Sequence, residues 1–269
     1  SKKTMKLLVI NPNTTTIMTD SLRPVVDAIL SRRGYPQVSC DFFTAPTPPS
    51  EDTFGALPSI NSPSESALSA TYCFPFLTPF IRNRSYDGFL VACYSHHPLV
   101  SMLSDEIARV EGHLKEDSFA RNMYVTGIFE ASIIASFGLL SQASRDSSFG
   151  IVSTGRIWES ALSDAVGEFL GSQSSRFAGC ETTGLIATEL HDLPTEDVCA
   201  RMADAAARLV GRGRVRVICL GCAGMVGLEG AVREGVVRVL GEEEGANVRI
   251  VDGVVAGIQW LIQAKISWP

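Results

Sequence analysis

The sequence predicts an α/β protein made of two similar lobes, each with a mostly parallel sheet flanked by helices, and an active site in the cleft between them. Continuous apolar runs alternate with segments of helical periodicity from end to end, and such runs are typical of parallel strands covered on both faces. The same succession of strand, polar turn and helix occurs in both halves. We assign residues 1–98, completed by 225–269, to the first lobe and residues 99–224 to the second.

Short apolar runs bounded by polar turns are predicted as strands. They are Lys6–Ile10, Val38–Phe43, Gly88–Tyr94, Val125–Phe129, Phe149–Ser153, Phe177–Cys180, Val215–Leu220 and Val248–Val251. Apolar residues at helical spacing predict helices between them. The helices are Ile17–Ile29, Ser64–Arg84, one from Pro98, Ala131–Ser141, Thr154–Leu170, Pro194–Val210, one that follows Gly224 and ends at Glu243, and Val254–Lys265.

Prolines punctuate this pattern in two places. Pro75 and Pro79 are expected to kink or break the helix predicted over Ser64–Arg84, because proline lacks the amide that a helix interior needs. The segment Thr44–Pro63 is rich in Pro, Ser and Thr. It predicts a long loop, and loops of this length often act as lids or binding loops.

Composition excludes several classes of protein. The 269 residues are 45% hydrophobic and 19% charged, the balance of an ordinary globular protein rather than a disordered, collagen-like or coiled-coil chain. The net charge of −6 argues against nucleic-acid binding, which normally needs a basic surplus. No run of eighteen apolar residues occurs, so no membrane span is expected.

The cysteines and lysines narrow the chemistry further. No signal-like segment precedes the first predicted strand, so the seven cysteines are expected to be reduced thiols in the cytoplasm. Only one of the five lysines, Lys115, lies away from the chain ends, in a charged segment; this argues against a Schiff-base enzyme. The stretches GCAG and STGR match no nucleotide-binding motif. We expect no cofactor and no metal.

Cys93 and Cys222 occupy matched places in the two halves. Each is predicted to end a strand and precede a helix, at the edge where parallel sheets bind ligands. A helix N-terminus lowers a thiol pKa from about 8.5, so either thiolate could serve as base or nucleophile. The alternative is two buried structural cysteines. The amides expected to hold a developing oxyanion are those of Tyr94, Ser95, Ala223 and Gly224.

Other polar residues near these cysteines allow more than one interpretation. Cys219 and Cys222 form a C-x-x-C, but no second pair supports zinc, and Cys219 is expected in the core. His96 or His97 could be the base for Cys93, as in Cys–His hydrolases, or a surface or helix-start residue.

The remaining candidates have structural alternatives of similar weight. Asn11 and Asn13 predict a turn, or polar anchors for a substrate carbonyl or amide. Glu130 could face the cleft or cap the following helix. His191, in a predicted loop beside an aspartate, is expected to be structural.

Several motifs together resemble one family. VINPNTTT, VACYSHHPLV, TGIFEAS, GIVSTGRIWE and ICLGCAGM are similar to the Asp/Glu/hydantoin racemase superfamily, and most to its hydantoin and allantoin racemase branch, including fungal members with a CYSxHPL motif. The resemblance runs from Lys6 to about Gly257. It implies two α/β lobes, no cofactor, and Cys93 and Cys222 on opposite faces of a substrate. It places the residues that hold the ligand at Asn11, Asn13, Tyr94, Ser95, Thr154, Ala223 and Gly224.

The resemblance has one departure. Many bacterial hydantoin racemases carry Asp-Pro-Gly where this chain has His96-His97-Pro98-Leu99, which bears on the substrate more than on the chemistry. The resemblance implies a cofactor-independent racemase of a cyclic ureide or amide, of hydantoin or allantoin type, with the following reaction. One cysteine thiolate removes a proton next to a ring carbonyl, and the other cysteine delivers a proton to the opposite face.

Three alternatives remain at this point. The first is a racemase, epimerase or isomerase in the same superfamily that acts on an amino acid, a diketopiperazine or a maleate-type substrate. The second is a Cys–His hydrolase, and the third is a non-catalytic ligand-binding protein. The expected partner is a small-molecule substrate, not a nucleic acid or a membrane. The number of subunits stays open, with a homo-oligomer as one option.

Overall fold

The structure is a computed structural model that describes residues 4–32, 35, 37–50, 53–112 and 122–268. Lys115, the interior lysine noted above, lies outside the described residues. Within these ranges, every helix is too short or too polar to cross a membrane.

Two parallel four-stranded sheets form the framework. The first contains β1 (Met5–Asn11), β2 (Val38–Thr44), β3 (Gly88–Val91) and β4 (Tyr124–Gly127), in the order β2-β1-β3-β4. The second contains β5 (Ser148–Ser153), β6 (Phe177–Thr182), β7 (Val215–Leu220) and β8 (Arg249–Val251), in the order β6-β5-β7-β8. The strand order is the same in both sheets, which confirms the predicted two-lobe α/β class and makes β3 and β7 equivalent.

Helices cover the two sheets. They are α1 (Thr16–Asp20), α2 (Arg23–Arg32), α3 (Pro63–Arg82), α4 (Pro98–Glu111), α5 (Ile128–Leu140), α6 (Ile157–Leu170), α7 (Glu189–Asp192), α8 (Thr195–Val210), α9 (Glu229–Ala246) and α10 (Gly253–Ser267), with a 3₁₀ turn at Ala223–Met225. The break expected at Pro75 and Pro79 was wrong, because α3 continues through both. Both prolines lie on its exposed side, where a missing hydrogen bond leaves a carbonyl open to water.

Three boundaries differ from the predicted ones near the cleft. Strand β3 ends at Val91 rather than Tyr94, and β4 ends at Gly127 because α5 already begins at Ile128. The helix predicted directly after Gly224 starts only at Glu229, after the 3₁₀ turn. In each case the apolar pattern continued past the strand end, because the residues that follow are also buried.

The exchange of chain between the lobes also differs from the assigned boundaries. The first sheet includes β4, so the first lobe continues beyond residue 98, whereas α9 and β8 belong with the second sheet. Only α10 returns, packing on β3 and β4. Its Gly257 makes this approach close, because a Cβ there would overlap a methyl group of Leu90. Helix α5 packs against both α10 and β7 and so joins the lobes.

The cap of α3 fixes the end of the long loop before it. Oγ of Ser62 accepts from the Glu65 amide at 3.2 Å, and the Glu65 carboxylate accepts from the Asn61 amide at 2.6 Å. The first bond is the N-cap of α3, and the second ties the residue before the cap to the first turn of the helix. From the same loop, Oδ1 of Asn61 accepts from the Ala187 amide at 3.4 Å. Through this hydrogen bond, the loop predicted over Thr44–Pro63 contacts the second lobe.

Gly235 provides a test of the packing between α8 and α9. A Cβ at Gly235 would overlap the carbonyl oxygen of Ala203 on α8, and backbone cannot move aside as a flexible side chain can. We expect Gly235→Ala to lower the free energy of unfolding by about 1–3 kcal/mol in urea titrations.

Gly230→Ala is the matched control on the same helix. A Cβ there has nothing within 4 Å, so its unfolding free energy is expected to stay within about 1 kcal/mol of wild type. Equal stability of the two variants would contradict the close approach of α8 and α9.

Candidate active site

Cys93 and Cys222 lie at equivalent positions at the carboxyl ends of the two sheets. Each comes two residues after its strand, β3 or β7. The residue between is bonded in the same way in both lobes: the Ala92 amide donates to the Ile10 carbonyl at 2.8 Å, and the Gly221 amide to the Val152 carbonyl at 2.6 Å. The chain therefore turns alike after both strands and brings each cysteine to the same kind of edge.

Gly221 is required by this close passage. A Cβ at Gly221 would lie 2.6 Å from the Val152 carbonyl oxygen and 2.9 Å from Cβ of Ser153, both closer than van der Waals contact allows. Oγ of Ser153 donates to the Gly221 carbonyl at 2.7 Å. The turn that presents Cys222 is thus fixed against β5 from both sides.

One cavity lies between the lobes and contains both cysteines. Its volume is about 30 Å³, enough to hold a water molecule. The described lining residues carry no formally charged side chain. They are Asn13, Met18, Ile60, Ala92, Cys93, Tyr94, Thr154, Trp158, Ala187, Gly221, Cys222 and Ala223.

Asn11 and Asn13 have different places in this site. Nδ2 of Asn11 donates to Oδ1 of Asn13 at 3.0 Å and to Oγ1 of Thr19 at 2.9 Å, and Oδ1 of Asn11 accepts from the Asn13 amide at 3.1 Å. Asn11 therefore holds the turn and does not line the cavity. Asn13 does line it, and among the described residues its Nδ2 has the sulfur of Met18, at 3.4 Å, as its one hydrogen-bond partner. Because thioether sulfur is a weak acceptor, this donor is available to a ligand.

Tyr94 borders the cavity but directs its hydroxyl into the core. The hydroxyl lies 2.7 Å from Oγ of Ser132 on α5, and burial raises its pKa well above the ordinary value. Its ring packs edge-on against Phe129, with 5.6 Å between centroids. The phenol is therefore a packing group of the cavity wall rather than a ligand donor.

Ser95 and Gly224 were predicted to hold the ligand, and the structure places both outside the cavity lining. The Ser95 amide donates to the Cys93 carbonyl at 3.0 Å and is not free for an oxyanion, while its hydroxyl lies 4.0 Å from Sγ of Cys93. The Gly224 amide is directed at the Cys222 thiol and lowers its pKa. Both residues contact the cysteines, whereas Thr154 and Ala223, also predicted to hold the ligand, do line the cavity.

The prediction that helix N-termini lower the pKa values of the two thiols was wrong. Helix α4 begins five residues after Cys93, and only a 3₁₀ turn follows Cys222, so no α-helix begins directly after either thiol. Each is open to the cavity but surrounded by protein on its other sides. This desolvation raises the pKa of Cys93 to about 12 and that of Cys222 to about 11.

Two further titratable groups, Glu130 and His191, lie near the cysteines. Glu130, in the first turn of α5, is buried against Gly127; burial raises its pKa to about 7, and its charge raises the pKa of Cys93. His191, on α7, has a buried Nε2 with no hydrogen-bond partner among the described residues. Gly224 lies between this imidazole and Cys222. A Cβ atom placed on Gly224 would be 3.4 Å from Nε2 of His191 and 3.6 Å from Sγ of Cys222, so the two side chains lie near each other.

His96 and His97 do not serve Cys93. Nε2 of His97 lies 2.9 Å from Oγ of Ser69, and Nδ1 of His97 accepts from the Leu99 amide at 3.2 Å. Burial lowers the pKa of His97 to about 3. It is a neutral residue that caps α4. His96 is half exposed and contacts Glu168 of the other lobe at 3.3 Å. The Cys–His pair of a hydrolase is not formed.

Cys219 is separate from Cys222 in space. Its buried sulfur lies 3.1 Å from Oγ of Ser136 on α5, in the core as predicted, while Cys222 faces the cavity. Across the described part of the chain, no three His, Cys, Asp or Glu side chains gather into a group that could hold a metal.

Sequence reasoning missed much of the apolar wall. Met18, Ile60, Trp158 and Ala187 all line the cavity, although none was singled out as a candidate. Trp158 stands in the motif GIVSTGRIWE, and Ile60 in the proline-rich loop, so both lay in segments already marked as informative. Met18 and Ala187 had no signal, because an apolar residue at helical spacing or in a loop also fits ordinary core packing.

Comparison with known proteins identifies the family. Residues 7–261 match the family Asp/Glu/Hydantoin racemase, so the chain belongs to that family and is an enzyme of the racemase and isomerase class, as the resemblance predicted. An uncharacterized protein of Schizosaccharomyces pombe is 32% identical over 257 residues, covering 96% of this chain and 90% of that protein.

Solved structures agree with the fold. Allantoin racemase from Pseudomonas fluorescens superimposes with a TM-score of 0.70 at 22% identity, covering 97% of this chain and 90% of that one. Allantoin racemase from Klebsiella pneumoniae gives 0.69 at 20% identity, covering 97% and 87%. At this identity the similarity establishes the two-lobe architecture.

The raised thiol pKa values predict how the cysteines react with iodoacetamide in the folded protein. Only the thiolate reacts, so both rates should rise about tenfold per pH unit between pH 7 and 10. Cys222 should react ahead of Cys93, because its pKa is lower. Peptide mass spectrometry after timed alkylation measures each rate, and urea-unfolded protein, in which both should react alike, is the control. A rate that levels off below pH 9 at either residue would contradict the effect of burial.

Proposed function

We propose that this protein is a racemase of cyclic ureides, of hydantoin or allantoin type, which transfers a proton between two cysteines without a cofactor. The observation that carries the proposal is the placement of Cys93 and Cys222 at equivalent strand ends around one cavity. A racemase needs an acid and a base on opposite faces of a planar intermediate, and two related lobes facing each other supply one group from each side.

The reaction follows from that arrangement. The thiolate of one cysteine removes the proton from the ring carbon between a carbonyl and a nitrogen, and the electron pair of the C–H bond enters the carbonyl as an enolate. The thiol of the other cysteine then protonates the opposite face. For the other enantiomer Cys93 and Cys222 exchange roles. The carbon loses one proton to the first cysteine and gains one from the second, and no group is oxidised or reduced. The reaction therefore balances without a co-reactant.

The high thiol pKa values suit a weak carbon acid. A thiolate with a pKa of about 11 or 12 is a stronger base than an ordinary one, although less of it is present at neutral pH. Glu130, with a pKa of about 7, and the imidazole of His191 are the buried bases placed behind Cys93 and beside Cys222. We assign to them the uptake and return of the thiol protons between turnovers.

Donors for the enolate oxygen come from both lobes. Nδ2 of Asn13 is the donor proposed from the first lobe, since its hydrogen-bond partner among the described residues is the sulfur of Met18. In the second lobe, Thr154 and Ala223 border the same cavity, and we assign the Thr154 hydroxyl and the Ala223 amide to the enolate oxygen. Hydrogen-bond donors fixed before the charge develops stabilise it most where water is excluded.

The uncharged lining favours a neutral ring over an amino acid or a dicarboxylate. A carboxylate that leaves water for this cavity would meet no lysine or arginine among the described lining residues, and burying an unpaired charge is unfavourable. A cyclic ureide brings only amide groups. The two structural neighbours named above are allantoin racemases, which supports the same class.

The cavity at the cysteines is small, about 30 Å³, so a substituted ring would need part of the wall to move. Ile60, in the long loop, and Met18, on the short helix α1, are the apolar residues of the wall that lie outside the sheets. We propose that their displacement admits the substrate.

Substitution of either cysteine tests the proposal. We expect Cys93→Ser and Cys222→Ser each to reduce the rate of racemisation of allantoin or a substituted hydantoin by about 10²–10⁴-fold, because a serine hydroxyl is far harder to deprotonate than a thiol. Polarimetry measures the rate. Cys199→Ser is the control, since Cys199 lies on α8 outside the cavity, and it should keep wild-type activity. Full activity of Cys222→Ser would exclude two-base transfer.

A further inference from the structure

A second, larger cavity adjoins the first. It lies between the start of α3, the segment after Cys93, and α6, and its volume is about 460 Å³. Trp158 lines both cavities, and Ser95 directly follows Tyr94 of the first cavity's wall. We call this space the outer cavity. It opens beside the cysteines rather than on a remote surface.

The size of the two spaces assigns them different parts of a substrate. The cavity at the cysteines is too small for a ring with a side chain, so a substituent on the reacting carbon has to extend elsewhere. The outer cavity is the adjoining space, and the shared Trp158 is the wall along which a substituent would pass. Its floor on α6 offers the apolar surface of Ile157, Ala161 and Leu162.

The outer cavity has an acidic rim. Asp164 and Glu168 both line it, and residues four apart on a helix project from the same face. The lining residues that the structure describes contain no lysine or arginine; His96, in contact with Glu168 at 3.3 Å, is the titratable group that faces them from the first lobe. The rim therefore carries net negative charge even when His96 is protonated.

We propose that the outer cavity receives the substituent of the ring and selects one that ends in a cationic hydrogen-bond donor, an ammonium or a guanidinium group. A methylene stem would lie on the apolar floor of α6, and the charged end would reach the carboxylates of Asp164 and Glu168. This inference rests on the proposed racemase function and adds to it the class of substrate.

The selectivity should be moderate and sensitive to salt. Glu168 is largely exposed, and ion pairs at exposed sites are weak and screened by salt. The two carboxylates nevertheless favour one sign of charge, because they would attract a cationic substituent and repel an anionic one.

The test compares three hydantoins whose substituents have similar length: aminobutyl, pentyl and carboxypropyl. We expect kcat/KM for racemisation to fall in the order cationic, neutral, anionic, with at least about a threefold step between cationic and neutral at low salt. The step should shrink when the ionic strength is raised to about 0.5 M.

Charge-removing variants locate the effect. Asp164→Asn combined with Glu168→Gln should bring the ratio of kcat/KM for the cationic and neutral substrates close to one. Glu234→Gln combined with Glu242→Gln removes two exposed charges from α9, and should keep both the ratio and the rate on the neutral substrate. Loss of the ratio in both double variants would assign it to overall charge and overturn the role of the outer cavity.

The outcomes separate this inference from the racemase function. Equal turnover of all three hydantoins, or preference for the anionic one, overturns the selectivity while leaving the racemase intact. If none of the three is racemised and no solvent deuterium enters the stereogenic carbon, the racemase function itself fails, and the assignment of the outer cavity fails with it.

Discussion

The site depends on one backbone hydrogen bond, formed twice. In each lobe the residue after the third strand donates to the neighbouring strand, from Ala92 to Ile10 and from Gly221 to Val152. That bond holds the first residue after the strand against the sheet. The next residue, the cysteine, then lies at the carboxyl ends of the strands. Because both sheets have the same strand order, the two cysteines reach the cleft in equivalent settings from opposite lobes. Helix α5, packed on both lobes, keeps those edges face to face.

Desolvation then determines the chemistry. Packing around Cys93 and Cys222 raises both thiol pKa values, which gives strong bases in small amounts rather than abundant weak ones. The same burial raises the pKa of Glu130 into the neutral range and leaves Nε2 of His191 without a described partner. In the proposed reaction, protons move in an uncharged cavity lined by the two cysteines, and the outer cavity beside it adds the charge that would distinguish one substituent from another.

The sequence predicted the class, the sheet pattern and the positions of both cysteines, because strand ends are marked by apolar runs followed by small or polar residues. It did not predict the thiol pKa values, since these depend on how completely distant segments bury each thiol. It also assigned Ser95 and Gly224 to the ligand, although their amides face the cysteines. Such directions depend on local turns that motif spacing does not encode. Likewise, no local pattern separates a cavity-lining Met18 from an ordinary core methionine.

The central claim is that the two cysteines act on opposite faces of one carbon. The most direct measurement starts from a single enantiomer of the substrate in D₂O and follows both enantiomers by chiral separation and mass spectrometry at early conversion. Two-base transfer predicts deuterium in the newly formed enantiomer and almost none in the remaining starting enantiomer, because the thiol that delivers the proton has exchanged with solvent. Equal deuterium in both enantiomers from the first time points would show a single base serving both faces, and would contradict the pairing of Cys93 with Cys222.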